Sequence, residues 1–245
     1  MAGILGLVPR VTGEEPLPDD LRPLFSPPAD LADDFGAYRS PLVRADGTRI
    51  ESAEAWRVRR DELRREWHEL MGQWPEVITE PEVELLESLE REGHTRHRIR
   101  FRWLPEEKTT GYLLVPHGPD RKRPAVLTVY YEPESAIGEG KEHRDFALQL
   151  TRRGFVTLSI GTTEATRAKT YALYWPSREQ ATVEPLSMLA YAAANAWQVL
   201  ARRPEVDVDR IGIVGHSFGG KWALFASCLH DRFACAAWSD PGIVF

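Results

Sequence analysis

Ile211-Gly212-Ile213-Val214-Gly215-His216-Ser217-Phe218-Gly219-Gly220-Lys221-Trp222-Ala223-Leu224 decides how the rest of the chain is read. Ile211 to Val214 is an apolar run of strand length, Phe218 to Leu229 follows as a helix, and G-x-S-x-G lies between them. A strand that turns sharply into a helix lifts a serine hydroxyl clear of the sheet. The flanking glycines admit neighbouring chain, and the helix N-terminus favours developing negative charge. Ser217 is therefore the candidate nucleophile; the bland alternative is a serine in an ordinary glycine turn. The same residues also fit G-x-x-x-x-G-K, the opening of a phosphate-cradling loop. That motif calls for Ser or Thr at the next position, where Trp222 stands, so nucleotide binding is set aside.

Outward from this stretch, strand and helix alternate. Phe233 to Trp238 is a strand on the C-terminal side. On the N-terminal side come a helix over 184–203 rich in alanine, a strand over 155–160, a helix over 141–153 stopped by Gly154, and the apolar run Ala125 to Tyr131. Runs buried on both faces and separated by helices imply a mostly parallel sheet wrapped by helices, an α/β fold. From His94 the period changes to two. Arg96, Arg98, Arg100 and Arg102 alternate with His97, Ile99, Phe101 and Trp103, and Thr109 to Pro116 continues the pattern, so two antiparallel strands precede the parallel part, with the arginines expected on the solvated side. Trp56, Leu63, Trp67, Leu70, Met71 and Trp74 fall on one face of an amphipathic helix that starts near Ser52, covers other structure and ends at Pro75. The expected organisation is a Pro/Asp-rich extended arm over 1–45, a helical cover over 46–93 and the α/β core over 94–245.

Composition narrows the functions. At 245 residues, 42% hydrophobic and 28% charged, with 18 Gly and 18 Pro, the chain is of ordinary globular make-up, which excludes collagen, coiled coil and wholesale disorder. Lys and Arg number 31 against 37 Asp and Glu; a net charge of −6 argues against a nucleic-acid partner held by counterion release. No run approaches the roughly 18 apolar residues of a membrane helix, so no membrane partner is expected. Met1 to Val8 is apolar but lacks a basic start and runs into Pro9-Arg10. No intact secretory signal is visible, which leaves the cytoplasm as the default. Two cysteines and no His pair at i, i+4 on a helix give no support to a disulfide scaffold, a metal or any other cofactor.

With a hairpin, alternating βα units and G-x-S-x-G in that order, residues 94–245 resemble an α/β-hydrolase. Within that superfamily, Gly215 to Leu224 is similar to the branch of dienelactone hydrolases, acetyl xylan esterases and glucuronoyl esterases. The glucuronoyl esterases read G-C-S-R-x-G-K; this chain keeps Gly215, Ser217, Gly220 and Lys221 but has His216 for Cys and Phe218 for Arg. The resemblance implies a serine esterase acting on acylated carbohydrate or small esters through an acyl-enzyme. It implies an oxyanion hole from the backbone N–H of Phe218 and that of Tyr131 or Glu132, Pro133 having none to give. It also implies Asp240 as the triad acid, with Asp240-Pro241-Gly242 as an ordinary turn being the bland alternative. Lys221 and His216 are expected on the substrate side, His216 pointing away from Ser217.

A serine hydroxyl is a poor nucleophile without an imidazole beside it, and the order in this fold is Ser, acid, His. The one later histidine, His230, lies at the far end of the helix that starts beside Ser217. His143, early in the 141–153 helix, is the best upstream candidate; His68, His94, His97 and His117 sit on segments expected to be distant. The 28 residues after Ser217 suffice for one helix and one strand, whereas two further βα units are needed to finish the sheet. The expectation is a chain truncated at its C-terminus, its histidine in missing sequence. Two alternatives remain: a prolyl-oligopeptidase-type serine peptidase, and a non-catalytic fragment of hydrolase fold.

Overall fold

The sheet runs in the order β1-β2-β3-β5-β4-β6-β7. Its strands are β1 (Val83–Arg91), β2 (His94–Leu104), β3 (Glu107–Pro116), β4 (Arg123–Tyr130), β5 (Val156–Gly161), β6 (Val206–His216) and β7 (Cys235–Ser239). The structure is a computed structural model that describes residues 40–119, 121–162 and 173–242, with a few positions between 19 and 36. Most of the expected extended arm therefore lies outside the described residues. The chain divides into two units, Met1–Arg57 and Val58–Phe245.

In the first unit, Asp46-Gly47 makes the turn its composition predicts. Gly47 takes φ 86°, Asp46 Oδ1 accepts from the Thr48 N–H, and Val43 pairs with Arg49 across the turn. Ser52 then caps the helix α1 (Ala53–Met71), its Oγ accepting from the Ala55 N–H at 3.1 Å. The end of α1 differs from expectation: Gly72, at φ 89°, stops it three residues before Pro75. Trp67 and Leu70, expected on a buried face, are 48% and 74% exposed, while Met71 is buried.

Cover comes instead from the extended segment after α1. Trp74 Nε1 donates to Ser187 Oγ, the Tyr191 hydroxyl to the Glu76 carbonyl, and the Ile78 N–H to Asn195 Oδ1. All three partners belong to α4 (Pro185–Ala201), whose Ala190, Ala192, Ala193, Ala194 and Ala196 are fully buried. A helix apolar on every side has no face to give to water, and alanines let its backbone lie close to the sheet. The buried amide of Asn195 is satisfied on both ends, donating to the Trp103 carbonyl as well.

β1, β2 and β3 form an antiparallel meander that joins the parallel strands where Tyr112–Leu114 pair with Thr157–Ser159. The sheet thus starts at Val83, eleven residues before the first strand the sequence pattern shows. The arginine stripe of β2 also divides. Arg98, Arg100 and Arg102 are exposed, but Arg96 is buried, paired with Glu139 and stacked over the Tyr112 ring. α2 (Pro133–Ala136) and α3 (Phe146–Arg152) pack on this side of the sheet around Leu114, Ala136, Ile137 and Ala147. α3 begins five residues later than expected, because His143 at φ 59° breaks the run from Lys141.

From β4 the chain crosses to β5 on one side and then to β6 on the other. The order reverses at β4, and ligands of such sheets bind outside the carboxyl ends of the strands at that point, here those of β4 and β6.

Candidate active site

At the end of β6, Ser217 has φ 55° and ψ −120°, a conformation that a residue with a Cβ rarely adopts, and the next residue opens α5 (Phe218–Leu229). Three contacts hold it there. The Ser217 N–H donates to the Ser239 carbonyl at 3.0 Å, its own carbonyl accepts from the Lys221 N–H at 3.1 Å, and β7 runs parallel to β6 with His216 opposite Ser239. The glycines are set by proximity. A Cβ on Gly215 would stand 2.0 Å from the Gly219 carbonyl oxygen, and one on Gly219 would stand 2.0 Å from the Val129 carbonyl oxygen. The elbow is therefore packed backbone against backbone, on itself and on the end of β4.

That packing brings the loop after β4 to the serine. The Tyr131 hydroxyl lies 3.4 Å from Ser217 Oγ. Its ring is boxed by Tyr130 edge-on at 5.0 Å, Phe218 at 5.1 Å and the Lys141 ammonium at 5.9 Å from the ring centre. Glu132 is the N-cap residue of α2, and its carboxylate accepts from the Ser135 hydroxyl at 2.6 Å. Gly161, the neighbour of Tyr130 on β5, has no room for a Cβ, which would stand 2.8 Å from the Glu132 backbone.

The remaining site candidates are distributed as follows. Asp240 directly follows Ser239, at φ 47° and exposed, on the same edge of the sheet as Ser217. Lys221 lies one turn into α5, its Nζ near Gly242. Neither Lys141 nor Lys221 has a carboxylate partner among the described residues. His216 turns to the side: its Nδ1 is 2.7 Å from Ser239 Oγ and its ring stacks on Tyr130.

All seven histidines are described, and each is engaged away from Ser217. His68 stands edge-on to Trp74, His94 is near the Glu92 carbonyl, His97 bonds Ser88, and His117 meets Glu90. His143 is 86% exposed beside Glu142 and stands outside the helix in whose first turn it was expected. His230 packs against Trp197 and Phe233, where burial pushes its pKa down to about 4. Among the described residues, Ser217 Oγ has a phenol for a neighbour and no imidazole. No group of three or more His, Cys, Asp or Glu there is arranged to hold a metal ion, and no helix is long and apolar enough to cross a membrane.

The pattern of residues did not disclose two members of the site. Ser239 acts through its carbonyl, which no side-chain motif signals; the Tyr131 hydroxyl depends on β4 lying beside β6, a tertiary fact.

Known structures share this fold. A glucuronoyl esterase from Solibacter usitatus superposes with a TM-score of 0.63 at 17% identity, over 82% of this chain and 63% of that one. A proposed acetyl xylan esterase from Bacteroides fragilis gives 0.62 at 18%, over 81% and 64%. A glucuronoyl esterase from Teredinibacter turnerae gives 0.61 at 20%, over 81% and 55%. The fold is that of the α/β-hydrolases. The chain spans less than two thirds of the length of each of these proteins. Neither a protein-family model nor a curated protein sequence matches it.

Proposed function

We propose that the chain carries the nucleophile half of a serine hydrolase that cleaves carboxylic esters through an acyl-enzyme on Ser217. The observation that carries this is the backbone of Ser217 at φ 55°, ψ −120°, held at the switch point of the sheet by contacts that leave no room for a Cβ on either flanking glycine. Strain of this kind persists where surrounding structure over-determines it, and here it sets the hydroxyl at the carboxyl end of β6 beside the loop after β4. In this reading Ser217 attacks the ester carbon, and the N–H groups of Phe218 and of Tyr131 or Glu132 receive the oxyanion. Asp240 is the acid that orients the base, and Lys221 and His216 line the substrate side. Acylated carbohydrate or similar small esters are the proposed substrates, in keeping with the acetyl xylan and glucuronoyl esterases that share the fold.

The general base of this reading is an imidazole, and none of the seven described has a hydrogen bond to Ser217 Oγ. Expected for the full-length chain is hydrolysis of p-nitrophenyl acetate that Ser217→Ala abolishes without moving the thermal midpoint. Equal turnover by Ser217→Ala would overturn the assignment. For the 245 residues alone, turnover should rise with added imidazole; a rate indifferent to it, in a protein that turns the ester over, would place the base among the seven.

A further inference from the structure

The Tyr131 side chain is not needed for a backbone oxyanion hole, yet among the described residues its hydroxyl is the side-chain group within hydrogen-bond range of Ser217 Oγ. We infer that this hydroxyl is itself an oxyanion donor and hence a catalytic group, an inference that rests on Ser217 being the nucleophile. At 3.4 Å from Oγ it sits at the long end of hydrogen-bond range, a weak contact in the resting site that leaves the O–H free to re-aim. The carbonyl oxygen of an ester bonded at Oγ stands two bonds from it. A donor 3.4 Å from Oγ is thus within reach of the roughly 2.7–3.1 Å at which oxyanions are held.

The ring is pre-set for that task. A phenol has two side-chain torsions, and here Tyr130, Phe218 and Lys141 occupy three of its sides, so little freedom is left to lose in the transition state. The Lys141 ammonium over the ring, without a carboxylate partner among the described residues, favours negative charge nearby. The phenol is a donor here and not the base, which is the imidazole. In the step proposed, the Oγ–C bond forms as the carbonyl π pair moves onto oxygen. The Oγ proton passes to the imidazole base and from it to the alkoxide released when the ester C–O bond breaks. Tyr131 holds its proton throughout and gives only the hydrogen bond.

The test is Tyr131→Phe in the full-length chain, a change that removes one oxygen and keeps the ring contacts. Four quantities are read: kcat and KM for p-nitrophenyl acetate, the rate at which a fluorophosphonate labels Ser217, and the thermal midpoint. Expected is a fall of about 100-fold in kcat and a parallel fall in labelling rate, with KM within about twofold and the midpoint unmoved. A merely structural tyrosine would move the midpoint or KM. Wild-type kcat and labelling in Tyr131→Phe would overturn the inference and leave the nucleophile standing. An unaltered chain that neither turns over ester nor takes label at Ser217 would overturn both.

Discussion

Replacing Gly219 with alanine should damage stability and turnover together, because of one backbone contact. A Cβ at this position would stand 2.0 Å from the Val129 carbonyl oxygen, 2.9 Å from its carbonyl carbon and 3.2 Å from Tyr130 Cα. All three are main-chain atoms, so no rotamer change relieves the clash. Ordinary contact begins near 3.4 Å, and 3.4 less 2.0 requires about 1.4 Å of separation between α5 and the end of β4. Overpacking of this kind costs typically about 1–3 kcal/mol, and a clash with no soft partner belongs at the upper end. At roughly 2–4 °C per kcal/mol for a chain of this size, the midpoint should fall by about 6–12 °C. The same movement carries Tyr131 away from Ser217, and a displacement near 1 Å at a catalytic group costs on the order of 10²-fold in rate. Gly154→Ala is the control. Gly154 has φ 92° and open space around its Cβ position, and it lies at the opposite end of β5. Its cost is backbone strain alone, about 1–2 kcal/mol, with turnover unchanged. Thermal midpoints and ester kinetics on the two variants decide the matter. A Gly219→Ala protein with a wild-type midpoint and turnover within twofold would refute the packing account of the elbow.

Asp240→Asn should lower ester turnover by about 10⁴-fold, the scale on which a triad acid acts, with the thermal midpoint held because the residue is exposed and Asn tolerates its φ of 47°. A variant of near-normal activity would return Asp240 to the role of a turn residue. His230 should make stability depend on pH. Burial lowers its pKa from 6.5 to about 4 in the folded chain, so below pH 6.5 the unfolded state binds the proton first. Stability should fall as pH drops from about 6.5 to about 4, and His230→Phe should flatten that part of a urea-midpoint titration. An unchanged slope in the variant would assign the acid sensitivity elsewhere.

The elbow was legible in the sequence because its signals are local and agree with one another. The run before Gly215, the glycines around Ser217 and the apolar helix after it are set by neighbours a few residues away, and α5 spans the very residues expected, Phe218–Leu229. β1 was not legible. Val-Glu-Leu-Leu-Glu-Ser-Leu-Glu-Arg lies on an edge of the sheet with Val83 44% and Leu85 59% exposed, so burial never enforced a period of two on its composition. For Trp67 and Leu70, helical spacing gave a correct element and a wrong environment, since periodicity shows which residues share a face and not what that face meets. Arg96 resembles the other arginines of its stripe, and what distinguishes it is tertiary, Glu139, 43 residues on, and the Tyr112 ring. The site divides the same way. Ser217 follows from a motif, whereas the approach of Tyr131 follows from β4 and β6 being neighbours, which is settled by the order of the whole sheet.

The most direct measurement is the mass of the Ser217 peptide after the full-length chain meets a fluorophosphonate. The account predicts one phosphonyl group per chain, on Ser217, absent from Ser217→Ala and slowed in Tyr131→Phe. Label on another residue, or none on a folded chain, would contradict it.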